Sequence, residues 1–499
     1  MPFRVGSNVR FNVVTTPTTP REPQPQPVEP AVVDPRLLAN IRTDATSYEP
    51  VKPKTRFDAI KRTGTDDDSL GGGAVLKQKG VYDVVNEGVV GRDTDPNRLA
   101  LRDAIWDRLE TPSYLREGAT APKPVDAKKL ASVLGDAVSA RQAASLTKKA
   151  QTAPQAGHNL VEFFSNTKSL SKDVKTSLLS TLASDPAGIA GSVVANLTGS
   201  KAFGAMSAQD KAHVATVMSR LDEKGLKTLG ALFENVPEAL ADKDSAGGTL
   251  LSNLATLASQ PLNASLTGHT STDEVLSSVL ADVMNPNRVE QGTANTCTVA
   301  SMQFELVADE PAEYARLMAG ITGPKGTVKM KAGGDLRLGP GDADERARDG
   351  RSVSQTIFQS VAMEYANGRF SNYDPVLGVS INEKTGEERL GLRGENQQAL
   401  LEKLFGVNYS INRLYSESES TNAFAKLVGW DARGNRNRPI VVDIDQGKFN
   451  HAVTLESVSK EKVVFRDPYG VLRSMSAEAF PKVAVAIHMP MDVKVNGVG

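Results

Sequence analysis

The chain has 499 residues, too many for one hydrophobic core, so two or three domains are expected. Charged residues make up 23% and hydrophobic residues 39%, and the formal net charge of −1 gives no global field toward nucleic acid or a membrane surface. One cysteine in the whole chain excludes an intramolecular disulfide framework and a Cys-rich zinc site.

The first residues, Met1-Pro2-Phe3-Arg4-Val5-Gly6-Ser7, lack the apolar core of a secretory leader, and no later run is long and apolar enough to span a bilayer. The expected location is the cytoplasm, or export by a route that needs no signal peptide. Residues 15–36 are rich in Thr, Pro, Gln and Glu, and Asp66-Asp67-Asp68-Ser69 precedes Gly71-Gly72-Gly73. Such composition buries too little apolar surface to offset chain entropy. Residues 1–95 are therefore expected to be a largely disordered tether. Between about 96 and 125, Leu99, Leu101, Ile105, Trp106 and Leu109 predict one short amphipathic helix followed by a linker.

From about 126 to 282, apolar residues recur at helical spacing: Leu130, Val133, Leu134 and Val138, then Val174, Leu178, Leu179 and Leu182, then Val214, Val217, Met218 and Leu221. Pro154, Pro186, Pro237 and Pro261 fall between the stripes, where helices end. This predicts an all-α domain.

From about 283 to 499 helices come first and strands last. Cys297 is expected to open one helix and Pro311 the next. Val353, Ile357, Val361 and Tyr365 form a stripe ending at Gly368; Leu400, Leu401, Leu404 and Phe405 form another ending at Gly406. Strand-like runs follow at Pro439 to Asp445, His451 to Val458, Lys462 to Phe465 and Val483 to Ile487. The expected fold class is multidomain: a disordered N-terminus, an all-α domain, then an α+β domain that should fold separately from about residue 275.

The chemistry concentrates in this last domain. A thiolate is a nucleophile, and a helix start at Cys297 favours the negative sulfur. His451 would pair with it as base and acid in turn. Asp467 follows His451 by 16 positions, and a hairpin turning at Ser459-Lys460-Glu461-Lys462 would bring the two together, the carboxylate orienting the ring. Gln291 precedes Cys297 by 297 − 291 = 6, and its amide would join the Cys297 N–H as an oxyanion donor.

Gln291 and Cys297 at a helix start, then Asn450-His451-Ala452-Val453 on a strand, then Asp467-Pro468-Tyr469-Gly470, resemble the papain-like cysteine peptidase superfamily. The His and Asp-Pro pairing is most similar to bacteriocin-processing (double-glycine leader) peptidases, and the Asn295-Thr296-Cys297 context more loosely resembles calpain-type domains. The resemblance covers about residues 285–490. It implies a papain-like fold, with a helical lobe carrying Cys297 against an antiparallel sheet lobe carrying His451 and Asp467. It also implies hydrolysis of peptide or isopeptide bonds without a cofactor. Papain itself has Asn where this chain has Asp467, and Thr298 stands where relatives often carry Gly or Trp.

Blander readings stand beside these. A lone cysteine is usually a small buried hydrophobe, a strand histidine is usually a satisfied core residue, and Asp-Pro-Tyr-Gly is an ordinary turn. His158, His213 and His269 lie in the upstream region or its loops, and His488 is a second candidate base. Asp342, Asp344 and Glu345 lack regular calcium-loop spacing and read as a solvated acidic loop. Trp430 and the basic run from Arg433 to Arg438 either line a cleft or are solvated. Two alternatives to hydrolysis remain: acyl transfer by the same triad, as in transglutaminases, and an idle fold that binds a partner. The expected partner is a protein or peptide substrate, with no nucleic acid, no cofactor and no metal. Part of residues 80–280, with the stretch around Trp106 foremost, is expected to restrain the cleft or recruit substrate.

Overall fold

The computed structural model describes residues 109–116, 125–126, 129–130, 134, 140–430, 432, 435, 438–446 and 450–492. These belong to a single compact unit. The tether expected over 1–95 lies outside them, as does the amphipathic stretch except Leu109, which packs on the core.

The upstream half is helical. In chain order it runs through α1 (Ala140–Thr152), α2 (Pro154–Asn166), α3 (Lys172–Ser184), α4 (Ile189–Gly199), α5 (Lys201–Ala205), α6 (Ala208–Met218), α7 (Glu223–Asn235), α8 (Leu250–Ser259) and α9 (Thr272–Met284). The helix starts are written locally. Ser200, Ser207, Asp222, Thr249 and Ser271 each accept a hydrogen bond from a first-turn N–H, and Pro154 opens α2, where its missing N–H costs nothing.

Next come α10 (Cys297–Asp309), α11 (Pro311–Thr322), the ribbon β1 (Thr327–Lys329) with β2 (Asp335–Arg337), and α12 (Val353–Asn367). A small sheet follows, formed by β3 (Ser371–Asp374), β4 (Val379–Asn382) and β5 (Glu388–Arg389), then α13 (Gly394–Phe405). The remainder is β6 (Tyr409–Arg413), α14 (Glu417–Leu427), β7 (Val441–Asp445), β8 (Asn450–Val458), β9 (Lys462–Asp467), β10 (Val471–Ser476), α15 (Phe480–Val483) and β11 (Ala484–Pro490). Six of these strands form one antiparallel sheet in the order β10-β9-β8-β7-β11-β6. Helices with antiparallel sheets are the mixed composition the sequence predicts. The pairing strands β6 and β10 and the two small sheets escape the pattern, because short, half-exposed strands carry little apolar alternation.

The large sheet separates two cores. Ala452 and Val441 on one face join the helices, with α10 packed along β8; Val442, Val453, Leu455 and Phe465 on the other face join Leu427 and Phe480. The first core also runs without a break from Leu160 in α2 to Phe405 in α13. It therefore crosses residue 282, where the sequence places a domain boundary. Helix α8 packs on α11, Asn253 donates to the Ala312 carbonyl at 2.9 Å, and Ser245 Oγ donates to Glu313 at 2.9 Å. Amphipathic stripes specify that a helix buries a face; they do not specify which neighbour it buries it against.

Candidate active site

Cys297 is the first residue of α10 and is half-buried. Thr296 does not cap the helix; its hydroxyl instead donates to Gln359 at 2.7 Å. With no capping side chain and no acidic residue in the first turn, the positive end of the helix faces the sulfur. His451 lies on β8 and Asp467 ends β9. The pairs Leu455 with Phe465 and Thr454 with Arg466 set the register, which places Asp467 one pleat diagonally from His451 on the same face. His451 is 1% exposed and its Nε2 lies 3.1 Å from Asp467 Oδ1. A carboxylate only accepts, so Nε2 donates, which leaves Nδ1 as the ring nitrogen available to the thiol; Cys297 lies close enough to raise the pKa of the ring. The structure thus joins Cys297, His451 and Asp467 in one chain of contacts.

Burial pulls the His451 pKa down, but hydrogen bonds to Asp467 and Cys297 outweigh it and raise the value from 6.5 to about 9. Burial raises the Asp467 pKa, yet the bond from His451, with the Tyr469 N–H and Arg473, leaves it below its ordinary value. Arg473 Nε donates to Asp467 Oδ2 at 2.6 Å, and the Tyr469 N–H donates to Oδ1 at 3.2 Å. The Tyr469 ring stacks on His451 at 5.5 Å between centroids, with 19° between planes. The Asp467 carboxylate at the edge and the Tyr469 ring on the face hold the imidazole from two sides.

Gln291 is buried on the loop leading into α10. Its side-chain Nε2 donates to the Ala294 carbonyl at 3.1 Å, which commits one N–H of that amide and leaves the other. Its backbone N–H donates to the Pro468 carbonyl at 2.7 Å. Gly292 follows with φ +57, and a Cβ there would lie 2.5 Å from the Asp349 carboxylate. Glycine meets that conformation without strain, and any side chain there would displace the Asp349 carboxylate that holds Thr293.

That loop is held by residues that no local pattern singles out. The Thr293 hydroxyl donates to Asp349 at 2.6 Å, and Asp349 itself adopts φ 38, a conformation rare outside glycine. Arg351, buried, bridges Asp349 at 2.8 Å and Gln359 at 3.1 Å. Gln359 also donates to the Glu290 carbonyl at 2.8 Å and to Gln303 at 2.9 Å. Asn295 donates to the Gly378 carbonyl at 3.0 Å, tying the β3–β4 turn to the same loop. These partners lie roughly 50 or more positions from the loop, beyond any local spacing signal.

The other candidates separate cleanly. His488 is fully buried and its Nε2 lies 3.5 Å from Asp443; the histidine in contact with Cys297 is His451. Asp344 pairs with Arg346, whereas Asp342 is buried and accepts from the Gly339 N–H. Burial lifts the Asp342 carboxyl to about 7. Among the described residues no cluster of three or more His, Cys, Asp or Glu is placed to hold a metal ion. Trp430 belongs to the second core instead of a cleft, and Arg438 pairs with Asp492 at 2.9 Å. Among the described residues no helix is long and apolar enough to cross a membrane. No protein-family model, no curated protein and no solved structure matches this chain.

Proposed function

We propose that the chain is a papain-like cysteine peptidase that hydrolyses peptide or isopeptide bonds. The observation that carries this reading is the position of His451 between a half-buried thiol at a helix N-terminus and a carboxylate, itself paired with Arg473, that accepts from the ring. The helical body facing an antiparallel sheet is consistent with the two-lobed arrangement of that superfamily.

In the proposed mechanism Cys297 Sγ attacks the scissile carbonyl carbon. The C–S bond forms and the carbonyl electron pair moves to oxygen, where the Cys297 N–H and the Gln291 amide stabilise it. The His451 imidazolium gives its proton to the leaving nitrogen as the C–N bond breaks, leaving a thioester. His451 then takes a proton from water, the resulting hydroxide attacks the thioester, and the C–S bond breaks to release the acid and restore the thiolate. Asp467 keeps the ring oriented and carries no proton.

The test is turnover of a mixed peptide library by the wild type and by Cys297→Ala, with labelling by a thiol-reactive probe. Activity and labelling should both vanish in Cys297→Ala while thermal unfolding stays cooperative. Undiminished cleavage by Cys297→Ala overturns the thiol mechanism. Wild-type labelling without any turnover favours an idle binding fold.

A further inference from the structure

Asp467 is buried at the end of β9, where burial alone would drive its carboxyl toward the neutral form. Its Oδ1 accepts from His451 Nε2 and from the Tyr469 N–H, and its Oδ2 accepts from Arg473 Nε at 2.6 Å. Among the described residues its ion pairs are with His451 and Arg473. It also faces the Tyr469 phenol of the turn, and Cys297 on α10 lies beyond the ring. The ladder explains why Arg473 reaches it. Val471 on β10 pairs with Asp467 on β9, so Arg473, two residues on, lies diagonally opposite on the same face. The Arg473 side chain is 56% exposed and that of Asp467 is 5% exposed. An exposed guanidinium thus closes the carboxylate oxygen that the ring does not use.

The two cations differ in permanence. A guanidinium keeps its charge at every working pH. His451 loses its own once it has given its proton to the leaving nitrogen, and regains one only when it takes a proton from water. Between those two steps Arg473 is the member of the pair that stays charged. A buried carboxylate left with a neutral ring alone would gain a proton. It would then no longer enforce the tautomer that keeps a proton on Nε2 and leaves Nδ1 free to act as base.

We propose that Arg473 is a positioning residue of this site: it holds Asp467 ionised and aimed at His451 Nε2 through the acyl-enzyme stage, when the ring is neutral. The inference rests on the hydrolase reading for its effect on turnover; the control of the Asp467 charge does not.

The experiment has two arms on the full chain. In the first, kcat and KM are measured against pH for the wild type, Arg473→Gln and Arg473→Lys. Gln keeps a donor without the charge, and Lys keeps the charge. In Arg473→Gln kcat should fall on the order of tenfold with KM little changed, the scale of a hydrogen bond to a charged group discounted for exposure. Losing the cation raises the Asp467 pKa, so the acid limb of kcat should move to higher pH. Arg473→Lys should recover most of the rate and bring the limb back. Asp467→Asn removes the charge that Arg473 serves, so adding Arg473→Gln to it should cost nothing further. A further loss in that double variant, or a loss in Arg473→Gln with an unmoved acid limb, marks a merely structural role and overturns the proposal; so does a wild-type profile in Arg473→Gln. In the second arm, side-chain carboxyl carbon shifts of aspartate are followed by NMR from about pH 3 to 7, with Asp467→Asn identifying the resonance. Asp467 should titrate at higher pH in Arg473→Gln than in the wild type, and equal midpoints overturn the control of its charge. If the wild type cleaves nothing, the hydrolase reading falls, and this titration still decides for or against Arg473.

Discussion

The Gln291 N–H donates to the Pro468 carbonyl at 2.7 Å, so the loop that presents the thiol and the turn that presents the carboxylate are joined by one backbone hydrogen bond. The two halves of the site come from segments far apart in sequence, and this bond ties them directly, beside the packing of α10 on β8. Gly470 makes the approach possible: it has φ +77, and a Cβ there would sit 3.1 Å from the Asn287 carbonyl.

Gly470→Ala should therefore loosen the join. The strain of a side chain in this conformation, with the close contact, is expected to cost about 1–3 kcal/mol in stability. Activity should fall further than stability accounts for, since Asp467 and Tyr469 move with the turn. Chemical unfolding and kcat/KM on the same sample check this; an unchanged midpoint with unchanged turnover counts against the role of the turn.

The residues that support the reaction should rank in order. His451→Ala should abolish turnover. Asp467→Asn should cost less, because an amide can still hold Nε2, although it leaves the Arg473 guanidinium facing a neutral partner. Gln291→Ala should lower kcat by on the order of 10²–10³, the scale of one oxyanion donor. Steady-state kinetics of the three variants decide the order, and wild-type rates for Gln291→Ala would assign the oxyanion to other donors.

The pH dependence follows from the raised His451 value. The imidazolium is favoured in the folded protein, so its contribution to stability is complete below the ordinary value of 6.5 and is lost as pH rises through about 9. If the imidazolium is the acid for the leaving group, kcat/KM should decline on the same alkaline limb. Removing the thiol takes away one of the two partners that raise the value, so in Cys297→Ala the ring should titrate below about 9. Histidine ring proton shifts followed by NMR from pH 5 to 10 measure this; the same midpoint in both proteins would mean that Cys297 does not touch the ring.

A chain cut near residue 275 should not behave as a folded hydrolase. The cut removes α8, including buried Leu250, Leu254 and Leu257, and uncovers the face of α11 that packs on it. It also strands the Ala312 carbonyl, which accepts from Asn253, and takes the Ser245 donor from Glu313, leaving that carboxylate only Arg316. Aggregation, or a loss of cooperative unfolding relative to the full chain, is expected. A monomeric fragment with a sharp transition would restore the boundary that the sequence suggests.

By itself the sequence determined what is local. The starts of α10 and α11 at Cys297 and Pro311, the ends of α12 and α13 at Gly368 and Gly406, and the hairpin that turns between Val458 and Lys462 all follow from caps, breakers and periodicity within a few residues. The hairpin announces that His451 and Asp467 are near one another, but the bulge between Leu455 and Ser457, which no local pattern marks, shifts the register by one residue and so sets both on the same face. Only the tertiary structure decided the rest. The Asp349, Arg351 and Gln359 brace under the thiol loop, the Tyr469 stack on the ring and the core that crosses residue 282 depend on which buried faces meet. An apolar stripe or a polar side chain records that it needs a partner, and long-range packing, which no local spacing encodes, selects which partner it gets.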